Sequence, residues 1–440
     1  MQQPSHGEEE EAFIDVGQLD ESAVLADLEG AAEEDDMSDD DGEGEEEDGA
    51  GGGGGGGGSD AAMEDDSLHT FEGHTDGVYA VAWSPVQADL VATGGADDRA
   101  FIWRVGQEAF EATGGAVLQL EGHSDTVCAL AFSGDGAMLA SGGMDGRVKI
   151  WEVATGRCLQ TLEGPGDAIE WVRWHPKGNV VLAGTADFTA WMWLAQTGAC
   201  MQVFSGHNGP VSCGAFTPDG RAVVTGGGEN DVSLRVWSPK TGECTLTVQG
   251  HPYHTAGLTC LDIHPDSTAA ITGPEDGVPK VVSLHNGRVV ASLGGGHDED
   301  SSVEAVAFSR HLPHVALSAG MDGKLVVWDL GTVGGAAAST RAICQHAEGI
   351  TRMVQHPTQP LVFTGCVDGS VQCWDTRTGA NLHTWHGFRD AVQDLAMSPD
   401  GSSVLAGSED HSARVGGRGA PSSLGGAPQD AVRKSGGGNA

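Results

Sequence analysis

The fold is decided by the stretch from Phe71 to Trp103, which reads FEGHTDGVYAVAWSPVQADLVATGGADDRAFIW. Three short runs of alternating apolar residues are separated by turn residues, a pattern that indicates antiparallel strands. A Gly-His pair precedes the first run, and an Asp stands six residues before the closing Trp. The same arrangement of Gly-His pair, apolar runs, Asp and Trp returns between Gly122 and Trp151, and we call it the repeat frame. The chain therefore contains internal repeats with a period of about 40–45 residues.

This frame resembles the repeat of the WD-repeat family, whose members are β-propellers. It occurs eight times in residues 67–415, about 44 residues per repeat, whereas seven blades would need about 50 and leave one repeat unused. Only Trp328-Asp329 and Trp374-Asp375 keep the literal Trp-Asp pair, so the frame carries the resemblance. We predict an all-β fold, an eight-bladed propeller over 67–415, with seven blades as the alternative.

The resemblance implies a structural role for the His, Asp, Ser or Thr, and Trp of each repeat. In the family these side chains form a buried hydrogen-bonded network, so we assign the His-Asp pairs to the scaffold and not to catalysis. Pro165 and Phe388 replace the His of repeats 3 and 8, and Leu284 and Gly416 fall where repeats 5 and 8 would have Trp. Blades 3, 5 and 8 are therefore expected to be less stable than the others. The predicted network residues are His74, Thr93, Asp97, Trp103, His123, Ser141, Asp145, Trp151, His207, Asp231, Trp237, His297, Ser318, Asp322, Trp328, His346, Thr364, Asp368 and Trp374.

The two ends of the repeat region predict how the ring closes. In the family each Gly-His pair joins the outer strand of one blade to the inner strand of the next. Leu68–Glu72 is then an outer strand without a blade, and Ser412–Val415 is a third strand without a fourth. Pairing these two segments closes the ring and covers both strand edges.

The segments on either side of the repeats have the composition of disordered tails. Residues 1–66 hold 25 acidic residues, no Lys or Arg, and an unbroken run from Gly51 to Gly58. A short apolar motif at 12–25 interrupts this acidic tail; it is a docking motif, a segment that packs on the propeller, or an unstructured remnant. Residues 416–440 are rich in glycine.

Charge and motifs restrict the function. The net charge is −42, and residues 67–415 alone hold 38 acidic and 19 basic residues. Such a protein repels nucleic acids and anionic membranes, so we expect a basic protein partner and no direct nucleic-acid contact; the alternative is that acidity only maintains solubility. No signal peptide or membrane-spanning run is visible, and we expect no membrane insertion.

The sequence offers no enzyme chemistry. It lacks a phosphate-binding loop, a nucleophile elbow and an HExxH motif. Its nine cysteines include no CxxC pair, which suits reduced thiols and argues against a zinc site. We therefore predict a monomeric, non-enzymatic protein-binding scaffold with no metal and no cofactor, located in the cytoplasm and in the nucleus as a second compartment.

The candidate site lies on the propeller face that carries the Gly-His loops and the Asp turns, because these loops are acidic. Carboxylates on successive blades are expected to converge around the central channel, with Tyr79 and Trp171 exposed among them. This surface suits a segment rich in Arg and Lys, whereas each single carboxylate has the alternative of being a solvated loop residue. The predicted partner-binding residues are Glu72, Asp76, Tyr79, Asp98, Glu121, Asp125, Glu163, Asp167, Glu170, Trp171, Asp298, Glu299, Asp300, Glu304, Glu348 and Asp390.

A closer resemblance rests on the acidic tail with its ExFIDV motif, followed by HTFEGHTD and TGGADDRAFIW. These residues are similar to the angio-associated migratory cell protein family over about 10–415, and the first repeat is the most specific part. That family includes the fungal assembly chaperone that holds a basic large-subunit ribosomal protein. The resemblance implies that the acidic face holds a basic N-terminal segment. Phe388 and the glycine-rich C-terminal tail depart from the family pattern, which puts the last blade in doubt.

Two other functions stay open at this point. One is a generic scaffold in signalling or cell migration, or a substrate adaptor of a ubiquitin ligase, although no helical dimerisation or ligase-docking domain is visible. The other is a histone-binding chaperone, since histone tails are also basic. Competition between a ribosomal-protein segment and histone peptides separates a histone-binding chaperone from a chaperone of a ribosomal protein.

Overall fold

The computed structural model describes residues 65–106, 117–312, 314–331 and 338–417. The regular elements of these residues are strands, which form eight four-stranded antiparallel sheets. They are the blades of a propeller, so the prediction of eight blades is confirmed and the seven-bladed alternative is wrong. The predicted tails, including the motif at 12–25, lie outside the described residues except at 65–66 and 416–417. Within the described part no helix is long and apolar enough to cross a membrane.

The first four blades follow each other along the chain, each from its inner to its outer strand. Blade 1 contains β2 (Val78–Trp83), β3 (Leu90–Gly95), β4 (Ala100–Arg104) and β5 (Val117–Leu120), and blade 2 contains β6 (Val127–Phe132), β7 (Met138–Gly143), β8 (Val148–Glu152) and β9 (Arg157–Leu162). Blade 3 contains β10 (Ile169–Trp174), β11 (Val180–Thr185), β12 (Thr189–Leu194) and β13 (Cys200–Ser205), and blade 4 contains β14 (Cys213–Phe216), β15 (Val223–Gly226), β16 (Ser233–Trp237) and β17 (Cys244–Gln249).

The remaining blades repeat this order, and blade 8 takes its outer strand from the start of the chain. Blade 5 contains β18 (Leu258–Ile263), β19 (Ala269–Pro274), β20 (Lys280–Ser283) and β21 (Val289–Ser292), and blade 6 contains β22 (Val303–Phe308), β23 (Val315–Gly320), β24 (Lys324–Asp329) and β25 (Ser339–Gln345). Blade 7 contains β26 (Ile350–Gln355), β27 (Leu361–Cys366), β28 (Val371–Asp375) and β29 (Ala380–Trp385), and blade 8 contains β30 (Val392–Met397), β31 (Ser403–Ser408), β32 (Ala413–Gly417) and β1 (His69–Phe71).

The ring closes by the predicted pairing of its first and last strands. β1 and β32 are antiparallel, with His69 opposite Val415 and Phe71 opposite Ala413. Phe71 is 1% exposed and stacks on Trp103 of blade 1, with ring centroids 4.9 Å apart. His69 of the same strand also stacks on Trp103, at 5.2 Å, so β1 packs the last blade against the first.

The core lies between neighbouring blades. The second strands β3, β7 and β11 are buried at every residue, because each blade packs on a neighbour through both of its faces. Glycine permits the closest approach: a Cβ on Gly94 would lie 2.7 Å from the Val127 side chain of blade 2, and one on Gly142 would lie 2.7 Å from Ile169 of blade 3. The Gly-Gly pair of the repeat frame is thus required by packing.

Side chains near the start of several inner strands also hydrogen-bond to the next blade. The thiol of Cys128 donates to the Ile169 carbonyl at 2.8 Å, and the hydroxyl of Thr351 donates to the Val392 carbonyl at 2.5 Å. Ser212 makes the equivalent contact with Leu258 at 2.5 Å. These bonds fix the inner strands around the channel.

Blade 8 keeps an aromatic core although it lacks the frame Trp. A Cβ on Gly416 would lie 3.3 Å from Nε1 of Trp385, which ends the outer strand of blade 7. Trp385 is 7% exposed and packs with Phe388, which occupies the position of the missing His. The indole of the neighbouring blade therefore takes the space that the frame Trp would fill.

Candidate protein-binding face

Three blades contain the whole predicted network, and blade 2 shows its logic. Trp151 Nε1 donates to Ser141 Oγ at 2.8 Å, Ser141 Oγ lies 2.7 Å from His123 Nε2, and His123 Nδ1 lies 3.1 Å from the Asp145 carboxylate. A carboxylate only accepts, so the imidazole carries its proton on Nδ1 and its Nε2 accepts from the Ser141 hydroxyl. Blades 4 and 6 repeat this chain of bonds through His207, Thr225, Asp231 and Trp237, and through His297, Ser318, Asp322 and Trp328.

Blades 1 and 7 depart from the prediction. In blade 1 His74 bonds Asp97 and Thr93, but the indole nitrogen of Trp103 has no hydrogen-bond partner, because Trp103 is held by stacking on Phe71. Trp103 therefore belongs to the aromatic core and not to the hydrogen-bonded network.

In blade 7 the predicted link between His346 and Asp368 is absent. His346 Nδ1 lies 3.2 Å from the Gly323 carbonyl, while exposed Asp368 accepts the Ser370 N–H within its own turn. Trp374 Nε1 donates directly to His346 Nε2 at 3.0 Å, and Thr364 Oγ1 lies 2.8 Å from the same nitrogen. Asp368 is thus a turn residue only.

The frame Asp residues hold the loops of one face in place. In blade 4, burial alone would raise the pKa of Asp231, but hydrogen bonds from His207, Ser233 and the Asn208 N–H outweigh burial and lower the pKa to about 2. The same opposition, with hydrogen bonding dominant, lowers the pKa of Asp97, Asp145 and Asp322. Each charged carboxylate joins a Gly-His loop to the turn between the second and third strands. We call the face that carries both the top face.

Five consecutive blades place one carboxylate at the same point of the top face, two residues before the inner strand. In blades 1, 2, 3 and 8 this Asp is exposed and accepts the backbone N–H of the next residue at 2.7–2.9 Å. Blades 5 and 6 have Ala256 and Ser301 at this position, and blade 4 has Gly209, which follows His207 at the same distance as Asp76 follows His74, so the series is an open arc and not a full ring. The acidic arc, running from blade 7 through blade 8 to blade 3, consists of Glu348, Asp390, Asp76, Asp125 and Asp167.

Other predicted site residues lie outside the arc. Three of them follow outer strands and therefore lie at the rim of the top face: Glu72, Glu121 and Glu163. Arg147 lies 3.5 Å from Glu163, and Lys324 pairs with Asp298. Asp298, Glu299 and Asp300 are exposed in the long loop before blade 6, and Asp98 is half-buried in the turn of blade 1.

The prediction for Trp171 is wrong. Trp171 is 5% exposed, and its indole donates to the Val211 carbonyl of blade 4 at 2.8 Å. Because Gly184 and Gly214 leave room for the ring, it packs between blades 3 and 4. Trp171 is therefore an interblade contact and not an exposed aromatic.

Tyr79, Glu170 and Glu304 are the second residues of the inner strands β2, β10 and β22, and therefore lie near the top-face end of these strands. Burial raises the pKa of the half-buried Tyr79, and the charges of Glu409, Asp76 and Asp390 raise it further. Burial and the charge of Asp167 raise the pKa of Glu170. Carboxylates of blades 8 and 1 thus surround a phenol ring, and carboxylates of blade 3 repel each other. A bound cation would relieve the repulsion between the carboxylates of blade 3.

Sequence reasoning missed three carboxylates of this face: Glu229, Glu275 and Glu409. Glu275 and Glu409 directly precede the frame Asp of their turns, and Glu409 accepts a hydrogen bond from Gln393 at 2.6 Å. The signal was present, since the residue before the frame Asp lies on the top face in every blade. Thr225, the hydroxyl at the centre of the blade 4 network, was missed as well.

The opposite face differs in charge. Among the described residues its loops hold similar numbers of acidic and basic side chains, whereas the top face is strongly acidic. No group of three or more His, Cys, Asp or Glu that could hold a metal ion occurs in the described part. The opposite face carries Asp89, Asp135, Glu152, Asp219, Glu243, Asp266, Asp329, Asp375 and Asp400 with Arg104, Arg157, Lys177, Arg221, Lys240, Arg288, Arg310 and Arg377.

The fold and the repeated network define a WD-repeat propeller, and comparison with known families agrees. The family model described as "WD domain, G-beta repeat" matches residues 65–104, 114–152, 156–193, 198–238, 242–282, 287–329, 338–375 and 379–415. Human angio-associated migratory cell protein is 36% identical over 363 residues, which cover 80% of each chain. An uncharacterised WD repeat-containing protein of Schizosaccharomyces pombe is 33% identical over 354 residues, covering 79% of this chain and 85% of that protein. The chain belongs to the angio-associated migratory cell protein family of WD-repeat proteins.

Solved structures share the fold. Sqt1 of Chaetomium thermophilum superposes with a TM-score of 0.72 at 24% identity, covering 81% of this chain and 99% of that one. The same protein bound to the N-terminus of the ribosomal protein L10 gives a TM-score of 0.71 at 23% identity, covering 81% of this chain and 100% of that one.

Proposed function

We propose that this protein is a non-enzymatic chaperone that holds a basic segment of a large-subunit ribosomal protein on its top face before ribosome assembly, acting as a monomer in the cytoplasm. The observation that carries the proposal is the acidic arc: five consecutive blades present a carboxylate at one equivalent position. Converging charges of one sign attract a segment of the opposite sign and increase its rate of association.

The relatives support the same partner class. Sqt1, which shares the eight-bladed fold, has been crystallised with the N-terminus of a ribosomal protein. The four Asp residues of the arc each accept one backbone N–H, which leaves further lone pairs for Arg and Lys donors. A generic scaffold would have no need for this uneven charge distribution between its two faces.

The test neutralises the arc without disturbing its loops. Asn keeps the oxygen that accepts the backbone N–H, so the quadruple variant Asp76→Asn, Asp125→Asn, Asp167→Asn, Asp390→Asn removes charge alone. We expect co-purification from cytosol with one basic ribosomal protein, and a loss of affinity of roughly ten-fold or more in the variant. The loss should shrink as the salt concentration rises.

The matched control neutralises four carboxylates of the opposite face: Asp89→Asn, Glu152→Gln, Glu243→Gln and Asp266→Asn. It should bind like the unaltered protein. Equal losses in both variants would show that total charge and not the arc attracts the partner. Recovery of histones, or a partner set that ignores the arc variant, would overturn the ribosomal-protein proposal.

A further inference from the structure

The top face also exposes large apolar side chains, which its acidity does not explain. Met144 is 48% exposed, Phe188 45%, Met321 44% and Val367 37%. All four lie in the turns between second and third strands, which are top-face turns. Met144, Met321 and Val367 directly precede the frame Asp of their turns, and Phe188 directly follows its frame Asp. Isolated exposed apolar residues are ordinary, but four of them in equivalent turns of one binding face indicate contact with a partner.

These four side chains form two pairs. Met144 and Phe188 belong to the adjacent blades 2 and 3, and Met321 and Val367 belong to the adjacent blades 6 and 7. We call them the first and second apolar pair. In a ring of eight blades, blades 2 and 3 lie directly across the channel from blades 6 and 7.

The pairs coincide with the ends of the acidic arc. The arc begins in blade 7 and ends in blade 3. Next to the frame Asp, its middle blades have no large apolar residue, since blade 8 has Glu409 and His411 there and blade 1 has Ala96 and Asp98. The second pair touches the arc directly, because a Cβ on Gly349, which follows Glu348, would lie 3.0 Å from Met321 Cε. The surface is therefore apolar at both ends and acidic in between.

Phe188 adds an independent observation. Its backbone has φ = 73°, a left-handed conformation that is costly for an aromatic residue. Besides glycines, the other described residues with positive φ are all polar: Asp98, Asn230, Ser267, Asp300 and His411. The fold thus holds one large ring outward at a turn where a small polar residue would be less strained.

We propose that the top face recognises an extended protein segment of three parts, with a basic centre and an apolar side chain at each end. This inference rests on the proposed function and deepens it by naming the sequence pattern of the partner. The basic centre lies along the acidic arc, and the apolar ends cover the two apolar pairs. Apolar contacts at an interface are insensitive to salt, whereas the exposed charge contacts weaken with it.

The experiment measures the affinity of the full chain for synthetic peptides. One peptide has a centre of Arg, Lys, Gly and Ser only, a second adds Leu and Phe at one end, and a third adds them at both ends. We expect each apolar end to raise affinity roughly ten-fold, corresponding to about 1.4 kcal/mol. This gain should persist at a salt concentration that abolishes binding of the basic centre alone.

Matched variants assign the gain to the turns. Met144→Gln with Phe188→Asn should remove the gain from one end, and Met321→Gln with Val367→Thr the gain from the other; Asn suits the left-handed backbone at 188. Val86→Thr with Val290→Thr, at residues 56% and 65% exposed away from the top face, should change nothing. Apolar ends that bring no gain, or a gain that survives both turn variants, would overturn the inference. Failure of the unaltered protein to bind any basic peptide would instead overturn the proposed function.

Discussion

At the scale of single residues, a buried hydroxyl is the centre of each complete network. Thr225 Oγ1 accepts from Trp237 Nε1 at 2.8 Å and lies 2.7 Å from His207 Nε2. Thr93 occupies the same position in blade 1 but bonds only His74, at 3.0 Å. Both threonines are fully buried, so one substitution at two sites isolates the effect of the second bond.

Thr225→Val should lower the free energy of unfolding by about 1–3 kcal/mol more than Thr93→Val does, because it leaves both an indole N–H and an imidazole nitrogen unpaired in the core. Urea denaturation followed by tryptophan fluorescence measures the difference. Equal losses for the two variants would show that the bond from Trp237 contributes nothing to stability.

Sequence reasoning identified the members of the networks but not all their bonds. The frame fixes which positions hold His, Asp, Ser or Thr, and Trp, since the spacing is set by strand length. Whether Trp103 donates a hydrogen bond depends on the orientation of its ring. Phe71 stacks on this ring from β1, the strand that completes blade 8, and sets that orientation. For the same reason the burial of Trp171 could not be read from its neighbours in sequence.

At the scale of elements, β1 is short, and its effect on stability should be concentrated in Phe71. This side chain packs on Trp103 and lies 5.4 Å from Phe101 between ring centroids. Phe71→Ala should lower the free energy of unfolding by about 3–5 kcal/mol. It should also make blade 8 susceptible to limited proteolysis. Phe188→Ala, at a turn residue 45% exposed, should leave stability nearly unchanged. If the two substitutions cost the same, β1 does not hold the ring closed.

The number of blades and the closure were predictable from the sequence, because a repeat period and an unpaired strand at each end leave one arrangement. The core of blade 8 was not. Gly416 and Phe388 indicated a weakened blade, but no residue pattern predicted that Trp385 of the preceding blade fills the space. A contact between repeats is not visible in the frame of either repeat.

At the scale of the whole molecule, the frame Asp residues of blades 1, 2, 4 and 6 share a lowered pKa. A carboxylate with a lower pKa in the folded state than in the unfolded state stabilises the fold above its unfolded pKa, and this contribution is lost as the pH falls through the folded value. For Asp231 the pKa is 3.8 in the unfolded state and about 2 in the folded state. Stability should therefore fall steeply between pH 4 and 2.

Denaturant titrations at a series of pH values test this expectation. Asp231→Asn should be less stable than the unaltered protein at pH 6, because the charge-assisted bonds to His207 and Asn208 are weakened. It should also lose less stability between pH 4 and 2, since one titrating group is gone. An unchanged acid transition in this variant would contradict the role of Asp231.

The acidity of the chain was evident from its composition, but its division between the two faces was not. That division requires knowing which loops share a face, and the repeat frame supplies this for the Gly-His loops and the Asp turns. The gap at Gly209, Ala256 and Ser301 became apparent only when the eight loops were placed around one channel. The role of rim residues such as Glu121 in partner binding stays a prediction.

The pairing of β1 with β32 has a mechanical consequence. His69 at the start of β1 lies opposite Val415 near the end of β32. The start of β1 and the end of β32 therefore lie at the same end of one antiparallel pair. That end lies away from the acidic arc, because β1 runs toward the loop of His74. Tension applied between these two points would load the interstrand bonds one after another, as in a zipper, and not all at once in shear. The ring would then open at this seam first, under a small force, while the other seven blades keep their strands paired.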